Sequence, residues 1–462
     1  MLHINKSLKQ RLLSGGAWSF ISKVGASFLT IALAAIVARL LSPDDVGVFF
    51  LSYSIIVLLS FLARFGVDQF CVKHIGHDLA EKRYKAAREF VDAILLIVFV
   101  FSLVISAVLY FFSDMLMLDH LYRDDLGFSI NLYLAAWLPI TAVQFLFAEI
   151  FRSYHNLKYA SIFAGGTIFG GFLSSTLFGI VISVGYATGG SFYLEEILQI
   201  LFSIMIFLLL IEYKMIRKMV DEYCQLDGQQ SGQTITVKKI LLESYPFFIS
   251  ALSFMLLVHA DTIILGFFEP ETEVAIYNSA TRIAKLMVII HMIVIEVTAP
   301  IIVELNLKGE MKKLEGILRV TATIATIPSI AVLLFFVFFG GPVLGTVYGE
   351  FYESGGLLLV IMSAGQLVSV WAGLGVYALN MMGFQKTSMH ISLSISLVAI
   401  VACILIAPHY GAVAVALVIA AALIVRSVIA MLYVYKHAGI WTYAKLFIGA
   451  KEIRQFATYL KS

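Results

Sequence analysis

The sequence contains little charge, little cysteine and few long polar stretches. Only 13% of its 462 residues are Asp, Glu, Lys or Arg, against roughly 25% in soluble domains, and 60% are hydrophobic. Three distant cysteines, Cys71, Cys224 and Cys403, argue against a disulfide framework. A formal net charge of +2 is too small to suggest nucleic acid. The composition predicts an integral membrane protein, and no pattern indicates a cofactor or a metal site.

The apolar runs are numerous and long enough to cross a bilayer repeatedly. A transmembrane helix needs about 20 mainly apolar residues. By this criterion the sequence predicts an all-α polytopic protein with about twelve spans, near residues 14–38, 46–66, 90–112, 128–150, 160–184, 193–213, 243–267, 274–302, 318–340, 355–380, 388–407 and 412–435.

The distribution of Lys and Arg predicts the orientation. If the first span begins in the cytoplasm, 25 of the 32 Lys and Arg residues fall in cytoplasmic loops and two, Arg39 and Arg123, fall outside. This asymmetry obeys the positive-inside rule. Both termini are therefore predicted to be cytoplasmic.

Two similar motifs predict an internal repeat of six spans. "ARLLSPDDVGVFF" follows the first span and "LGFFEPETEVAIY" follows the seventh, at an offset of 227 to 228 residues, and Asn156 and Gly383 lie at a similar offset. Six is an even number, so the two lobes would share one orientation, as in transporters with parallel repeats. The alternative is that Pro-acidic motifs recur because they start helices well.

The repeat predicts where the domains lie. Residues 1–220 form an N-terminal six-helix lobe, 221–239 a cytoplasmic linker and 240–437 a C-terminal six-helix lobe. Residues 438–462 are predicted to form an amphipathic segment on the cytoplasmic interface. No outward loop exceeds about fifteen residues, which leaves no room for a catalytic domain and indicates that the chain is not an enzyme.

Five cations remain inside the predicted spans: Lys23, Arg64, Arg282, Lys285 and Arg426. Such residues normally face a bundle interior or a water-filled cavity. Arg64 has Asp68 at i+4, which favours a local pair. Asp261 and Arg282 have similar predicted depths, so a structural ion pair between them is expected. The excess of cations at mid-depth predicts a water-filled lumen for a polyanion, unless each cation pairs with an acid that the sequence does not place.

Polar and aromatic residues at helical spacing are candidates to complete the wall of that lumen, although polar residues also bind helices to one another. They are Tyr133, Trp137 and Gln144 in the fourth span and Gln366, Tyr377 and Asn380 in the tenth.

Three stretches resemble a known family. "ARLLSPDDVGVFFLSYSI", "FGVDQFCVKHI" and the stretch from Ser244 to Leu286 are similar to the polysaccharide transporters, or Wzx-type flippases, of the multidrug/oligosaccharidyl-lipid/polysaccharide (MOP) exporter superfamily. One departure is Ala275, where the family pattern usually has glycine. The sequence looks unlike the lipid II flippases of the same superfamily, which have two further spans.

The resemblance implies a bacterial inner-membrane flippase without enzymatic activity. Its substrate would be an undecaprenyl-diphosphate-linked oligosaccharide for O-antigen, capsule or exopolysaccharide assembly, carried by alternating access through a V-shaped, cationic cavity. The five buried cations are the implied contacts with the diphosphate or the glycan. Implied partners are membrane lipids, a polysaccharide polymerase, chain-length proteins and a coupling proton or sodium ion.

Three other functions remain open at this stage. A cation-coupled multidrug exporter of the same superfamily would need an acidic or apolar site, whereas the buried charge here is positive. A membrane glycosyltransferase or polymerase would need catalytic carboxylates on large outer loops. A non-transporting component of a polysaccharide assembly complex would tolerate neutralisation of the buried cations.

Overall fold

The regular structure of the chain is helical. The computed structural model describes residues 25–111, 130–154, 156–163, 171–187, 192–225, 236–289, 291, 298, 302, 305–306 and 308–445, and within these ranges there is no strand. The prediction of an all-α protein is confirmed. The chain divides into two compact units, Met1–Met255 and Leu256–Ser462, here called unit 1 and unit 2.

Unit 1 is built around α5, which packs against α2, α3, α4, α6 and α8. The described helices of unit 1 are, in chain order, α1 (Gly25–Leu40), α2 (Pro43–Arg64), α3 (Val67–Ala80), α4 (Tyr84–Phe111), α5 (Ile130–Ser153), α6 (Leu157–Phe163), α7 (Phe172–Ala187), α8 (Leu194–Cys224) and the first part of α9 (Val237–Phe268).

Unit 2 is built around α12, which packs against α10, α11 and α14. After the second part of α9, its described helices are α10 (Glu271–Lys285), α11 (Met311–Tyr348), α12 (Gly356–Ala372), α13 (Gly375–Met381) and α14 (Gln385–Ala438). Short 3₁₀ helices cover Leu286–Val288 and Glu350–Gly355.

The two repeated motifs each begin a helix in their own unit. Pro43 occupies the first turn of α2, and the Ser42 hydroxyl caps that turn by accepting a hydrogen bond from the Asp45 N–H at 3.2 Å. Pro270 precedes α10, whose first turn carries Glu271. Proline is preorganised for a first turn and acidic residues favour helix N-termini, so both motifs are local start signals.

The described helices fit the predicted number of spans. Seven are long and apolar enough to cross a membrane, and Gly25–Leu40, Phe172–Gly185 and Val258–Phe268 are shorter apolar segments. The 54-residue α14 is two helical arms that join at Gly411, where φ is +65°. These segments are consistent with twelve spans, although the first, fifth and eighth predicted spans lie partly outside the described residues.

The predicted lobe and linker bounds stay predictions, while unit 1 ends inside α9, at Met255. The reason is packing: Phe248 of α9 stacks on Phe61 at 5.7 Å and on Phe65 at 4.6 Å between ring centroids. Gly66, with φ of +72°, gives the chain room there, because a Cβ on it would lie 2.5 Å from the Phe248 nitrogen. The start of α9 therefore belongs to unit 1.

The first residues of the predicted interfacial tail pack on unit 2 itself. The Thr442 hydroxyl donates to the Ala372 carbonyl at 2.7 Å, and the Ala444 N–H donates to the Trp371 carbonyl at 2.8 Å. These carbonyls lie at the end of α12, where the helix leaves acceptors unsatisfied. Residues 446–462 lie outside the described part, so an interfacial helix there stays a prediction.

Each unit has an acidic and a basic end. Glu195 and Glu196 begin α8 in unit 1, and Glu271 and Glu273 lie in the first turn of α10 in unit 2. We call these the acidic ends and the opposite ends the basic ends. The acidic ends correspond to the predicted outer side of the membrane.

Candidate functional site

Arg282 and Lys285 interrupt a largely buried helix. On α10 the side chains from Val274 to Ala284 are buried except that of Arg282, which is partly exposed, and Lys285 is exposed. Lys285 comes 14 residues after Glu271, which places it about 21 Å along the helix in a hydrocarbon layer about 30 Å thick. Cations at such a depth normally face a bundle interior or water. The pattern therefore favours water or a polar ligand at this face.

Asp261 is an acidic residue of unit 2 whose charge acts on Lys285. It is buried, with 4% exposure, and its carboxylate accepts hydrogen bonds from the Tyr277 hydroxyl and the Thr262 N–H, each at 2.7 Å. Lys285 lies within electrostatic reach of both Asp261 and Arg282. Asp261 thus joins α9 to α10 and offsets part of the positive charge. The direct ion pair of Asp261 with Arg282 stays a prediction.

Arg426 adds a third cation at comparable depth in unit 2. It is partly exposed and comes 15 residues after Gly411, about 22 Å along the second arm of α14. Its Nε is buried and makes no hydrogen bond within the described structure. A buried guanidinium donor without an acceptor is costly, so this nitrogen is available to an anionic or carbonyl oxygen.

Other polar side chains of unit 2 lie beside Arg426 in the chain or on helices that pack against α14. The Ser427 and Ser369 hydroxyls lie 2.8 Å apart and join α14 to α12. Tyr377 of α13 is close enough to act on Arg426 electrostatically and is 41% exposed. Gln366 on α12 and Asn380 on α13 are partly exposed. These polar groups of unit 2 are accessible, as lining residues of a polar lumen would be.

Arg64 in unit 1 has a different environment. It is 3% exposed, its Nε donates to the Ser60 carbonyl at 3.2 Å, and its Nη1 lies 3.5 Å from Asp68. Its guanidinium carbon also lies 4.1 Å from the centroid of the Phe145 ring. Hydrogen bonding, ion pairing and cation–π contact together account for this cation. The structure supports the local-pair alternative for Arg64.

Trp137 lies in the packed interior of unit 1. It is 2% exposed, stacks on Phe49 at 6.1 Å and meets Phe202 edge-on at 5.6 Å. Offset and edge-to-face pairs of this kind stabilise helix contacts. In this conformation the indole joins α2, α5 and α8 and lines no accessible surface.

The polar candidates on α5 likewise contact α8. Gln144 is 2% exposed, and its amide donates to the Met205 carbonyl at 3.4 Å. The Tyr133 hydroxyl donates to Glu195 at 3.2 Å and accepts from the Gln199 amide at 3.2 Å. These contacts are the interhelical hydrogen bonds expected of polar residues that hold membrane helices together.

Two further predictions, on Lys23 and on the need for a metal ion, are not addressed by the contacts above. Lys23 lies outside the described residues. Within the described ranges, no three His, Cys, Asp or Glu side chains converge to hold a metal ion. The prediction that the protein needs no metal stays a prediction.

Sequence reasoning missed two features. Tyr277 and Thr262, which orient Asp261, were not singled out, although Tyr277 lies on the same helix as Arg282. Glu212 was also missed: it is 1% exposed on α8. The available signal was a carboxyl at a position where Met205, Leu208, Ile216 and Val220 define an apolar face.

Sequence comparison gives one family and one partial relative. The model of a family described as "Polysaccharide biosynthesis protein" matches residues 12–306. A protein named "Probable flippase AglR" from Haloferax volcanii is 29% identical over 174 residues, which is 37% of this chain and 36% of that protein. The aligned part thus spans about a third of that relative's length.

Structural comparison gives the fold. The lipid II flippase MurJ in an inward closed conformation superposes with a TM-score of 0.67 at 13% identity, covering 97% of this chain and 91% of MurJ. An inward-facing MATE-family multidrug transporter of the MOP superfamily gives a TM-score of 0.60 at 17% identity, covering 95% and 96%. The predicted MOP fold is confirmed. The chain also shares this fold with a lipid II flippase, a group that its sequence does not resemble.

Proposed function

The chain belongs to the polysaccharide biosynthesis protein family, and we propose that it is a flippase for an undecaprenyl-diphosphate-linked oligosaccharide. The repeat unit would cross from the cytoplasmic to the outer leaflet by alternating access. The family assignment agrees with the resemblance carried by the stretch Ser244–Leu286. Family and fold are both those of transport proteins, in agreement with the prediction that the chain is not an enzyme.

The observation that carries this proposal is the accessibility of Arg282 and Lys285 at mid-depth on a buried helix. A diphosphate brings negative charge into a medium where charge is poorly solvated, and Lys and Arg hold phosphate by charge-assisted hydrogen bonds. Arg426 supports the same proposal, since its Nε has no acceptor within the described structure. Asp261 would keep the Lys285 ammonium in place through its charge.

The glycan would contact the polar side chains of unit 2. Gln366, Tyr377 and Asn380 are at least partly exposed and supply an aromatic face and amide groups. Trp137 and Gln144 are left out of the proposed site because they are buried between helices of unit 1. Arg64 is left out because Asp68 and Phe145 already accommodate its charge.

We place the protein in a bacterial inner membrane, as the family resemblance implies, with both termini in the cytoplasm on the basis of the Lys and Arg distribution. In this orientation the membrane potential would favour outward movement of an anion by roughly 2.3 kcal/mol per charge per 100 mV. A polysaccharide polymerase and chain-length proteins would use the flipped repeat unit. A coupling proton or sodium ion would add to the driving force.

The alternative is a cation-coupled multidrug exporter, because a MATE transporter shares the fold. The two functions differ in the charge of the substrate. A site for cationic drugs would be acidic or apolar, whereas unit 2 presents Arg282, Lys285 and Arg426 with Asp261. The charge therefore favours an anionic substrate.

The test uses purified protein in proteoliposomes. Translocation of a polyprenyl-diphosphate oligosaccharide is measured beside an uncharged lipid carrying the same glycan, with empty liposomes as the background. We expect the diphosphate lipid to move above background and the uncharged lipid to remain near it. If neither lipid moves under any potential or ion gradient while a cationic drug does, the flippase proposal is wrong and the exporter alternative replaces it.

A further inference from the structure

Glu212 occupies an apolar position in the interior of unit 1. The face of α8 that packs against its neighbours carries Met205, Leu208, Ile216 and Val220, each no more than 2% exposed. Glu212 lies on the same face, at i+4 from Leu208 and i−4 from Ile216, and is 1% exposed. Helical periodicity would place an aliphatic residue there. The carboxyl is therefore inside the protein and not at a helix surface.

Among the described residues, the Oε2 of Glu212 has no partner that would stabilise a negative charge. Its Oε2 is buried and accepts no hydrogen bond within the described structure. Two arginines of this region form ion pairs with other acids: Arg217 of α8 pairs with Asp92, and Arg152 of α5 lies 2.7 Å from Glu149. An ionised carboxylate here would be buried without compensation, which costs several kcal/mol.

The helices packed against α8 carry charged residues, but none of those described donates a hydrogen bond to the Glu212 Oε2. These are α4, α5 and α7, and α7 has no charged residue. The titratable and charged groups on the facing turns are Arg88, Glu89 and Asp92 on α4, Glu149 and Arg152 on α5, and Tyr213, Lys214, Arg217 and Lys218 on α8 itself. The burial of Glu212 is therefore not offset by a hydrogen bond to its Oε2 from any of these groups within the described structure. Lys214 and Lys218 are exposed on the opposite face of α8.

The depth of Glu212 gives a short route to water. It comes 18 residues after Leu194, about 27 Å from the acidic end of α8, and five residues before Arg217, about 7.5 Å from the basic end's ion pairs. A modest opening of α8 against α5 would hydrate the carboxyl from the basic end. Hydration would allow the acid to release its proton to water and become a carboxylate.

We propose that Glu212 is a proton-binding site: it carries a proton in the described conformation and releases it to water at the basic end when unit 1 opens. The carboxylic acid becomes a carboxylate, and the proton goes to solvent, so no other reactant is needed. Proton binding would then favour the closed packing of α8, which makes the transport cycle sensitive to pH on that side. This last consequence rests on the proposed flippase function.

The first experiment measures protonation directly and does not depend on transport. Infrared difference spectra of Glu212→Gln against the native protein, taken near neutral pH, report the C=O stretch of a protonated carboxylic acid. We expect the native protein to show this band and Glu212→Gln to lose it. Glu81→Gln is the matched control, because Glu81 is half exposed and lies 3.0 Å from the Arg83 Nη1, and it should leave the band unchanged. If Glu212→Gln leaves the band unchanged, the inference is wrong.

The second experiment measures the conformational consequence. Hydrogen exchange of the α8 amides around residue 212 is followed as the pH is raised, after correction for the intrinsic pH dependence of exchange. In the native protein the opening equilibrium should shift by up to about tenfold per pH unit in the range where the hydrated Glu212 carboxyl of the open form is ionised and the buried carboxyl of the closed form is still protonated, as expected for one proton. Glu212→Gln, which remains neutral, should show a shift below about twofold. Identical behaviour of the two proteins would overturn the inference.

Transport assays then separate this inference from the proposed function. If the native protein moves the diphosphate lipid with a rate that depends on pH and Glu212→Gln loses that dependence, both stand. If both proteins show the same pH dependence of transport, the flippase proposal stands and the coupling role of Glu212 is wrong. If no lipid moves, the flippase proposal fails, whereas the infrared and exchange results still decide whether Glu212 binds a proton.

Discussion

Cations within the predicted spans of unit 1 and unit 2 differ in what surrounds them. Arg64 in unit 1 is 3% exposed and is accommodated by Asp68, the Ser60 carbonyl and the Phe145 ring. Lys285 in unit 2 is exposed at mid-depth on a helix whose other faces are packed. Depth in the membrane is thus a poor guide to function. Accessibility and the supply of local partners decide whether a cation stabilises the fold or is available to a ligand.

The largest expected effect is on the stability of unit 1. Arg64→Met removes the guanidinium that lies 3.5 Å from the buried Asp68 carboxylate, and we expect the free energy of unfolding to fall by about 3–5 kcal/mol. Thermal or denaturant unfolding in detergent measures this loss. Replacing Asp68 as well should recover part of it, because the buried carboxylate that faced Arg64 is then removed. Should Arg64→Met unfold like the native protein but fail to transport, Arg64 would belong to the substrate site.

Two aromatic residues, one buried in unit 1 and one accessible in unit 2, allow the same comparison. Trp137→Ala removes a buried indole from between three helices, and we expect a loss of about 3–5 kcal/mol in unfolding free energy. Tyr377→Ala, at a side chain that is 41% exposed, should cost less than about 1 kcal/mol and instead slow transport. Unfolding curves and transport rates of the two variants provide the comparison. Equal destabilisation by both would contradict the assignment of Trp137 to packing and Tyr377 to the site.

A smaller effect is expected at the contact that assigns the start of α9 to unit 1. Gly66→Ala combines a left-handed φ with a Cβ against the Phe248 backbone, so we expect a loss of at least about 2 kcal/mol. Gly383→Ala is the control, since its φ is also positive, at +91°, but nothing lies within 4 Å of its Cβ position. If the two substitutions destabilise equally, the close approach of α9 to Gly66 is unimportant.

The smallest effect is expected at the exposed ion pairs of the basic end. Arg88 and Asp221 lie 2.9 Å apart with about half of each side chain exposed. Arg88→Gln should therefore cost less than about 1 kcal/mol, and the difference should shrink at high salt. Unfolding in low and high salt checks this. A loss comparable to that of Arg64→Met would show that exposure does not separate the two classes of ion pair.

Local signals in the sequence predicted most of the helices. The hydropathy of the spans, the Ser42–Pro43 cap of α2 and the acidic first turn of α10 act within a few residues, so a single sequence contains them. The pairing of Arg64 with Asp68 at i+4 is likewise local and was one of the two alternatives. The unit boundary inside α9 was not predictable, because it depends on the contact of Phe248 with Phe61, far away in sequence.

The candidate site was predictable by residue type and depth but not by accessibility. The spacing of α10 placed Arg282 and Lys285 in the membrane, and the structure shows that they are the residues of its buried stretch that reach a surface. Trp137 and Gln144 had the same helical pattern as Tyr377, yet their partners on α2 and α8 bury them. Glu212 was missed because one carboxyl hardly changes the apolar character of α8.

The most direct measurement is the translocation rate of a diphosphate-linked oligosaccharide by Lys285→Gln relative to the native protein in proteoliposomes. Lys386→Gln, an exposed lysine at the start of α14, is the matched control. With equal folding of all three proteins, we expect Lys285→Gln to lose at least about tenfold in rate, which corresponds to one charge-assisted hydrogen bond, and Lys386→Gln to be unchanged. Translocation by Lys285→Gln at the native rate would contradict the assignment of the accessible cations of unit 2 to the substrate site.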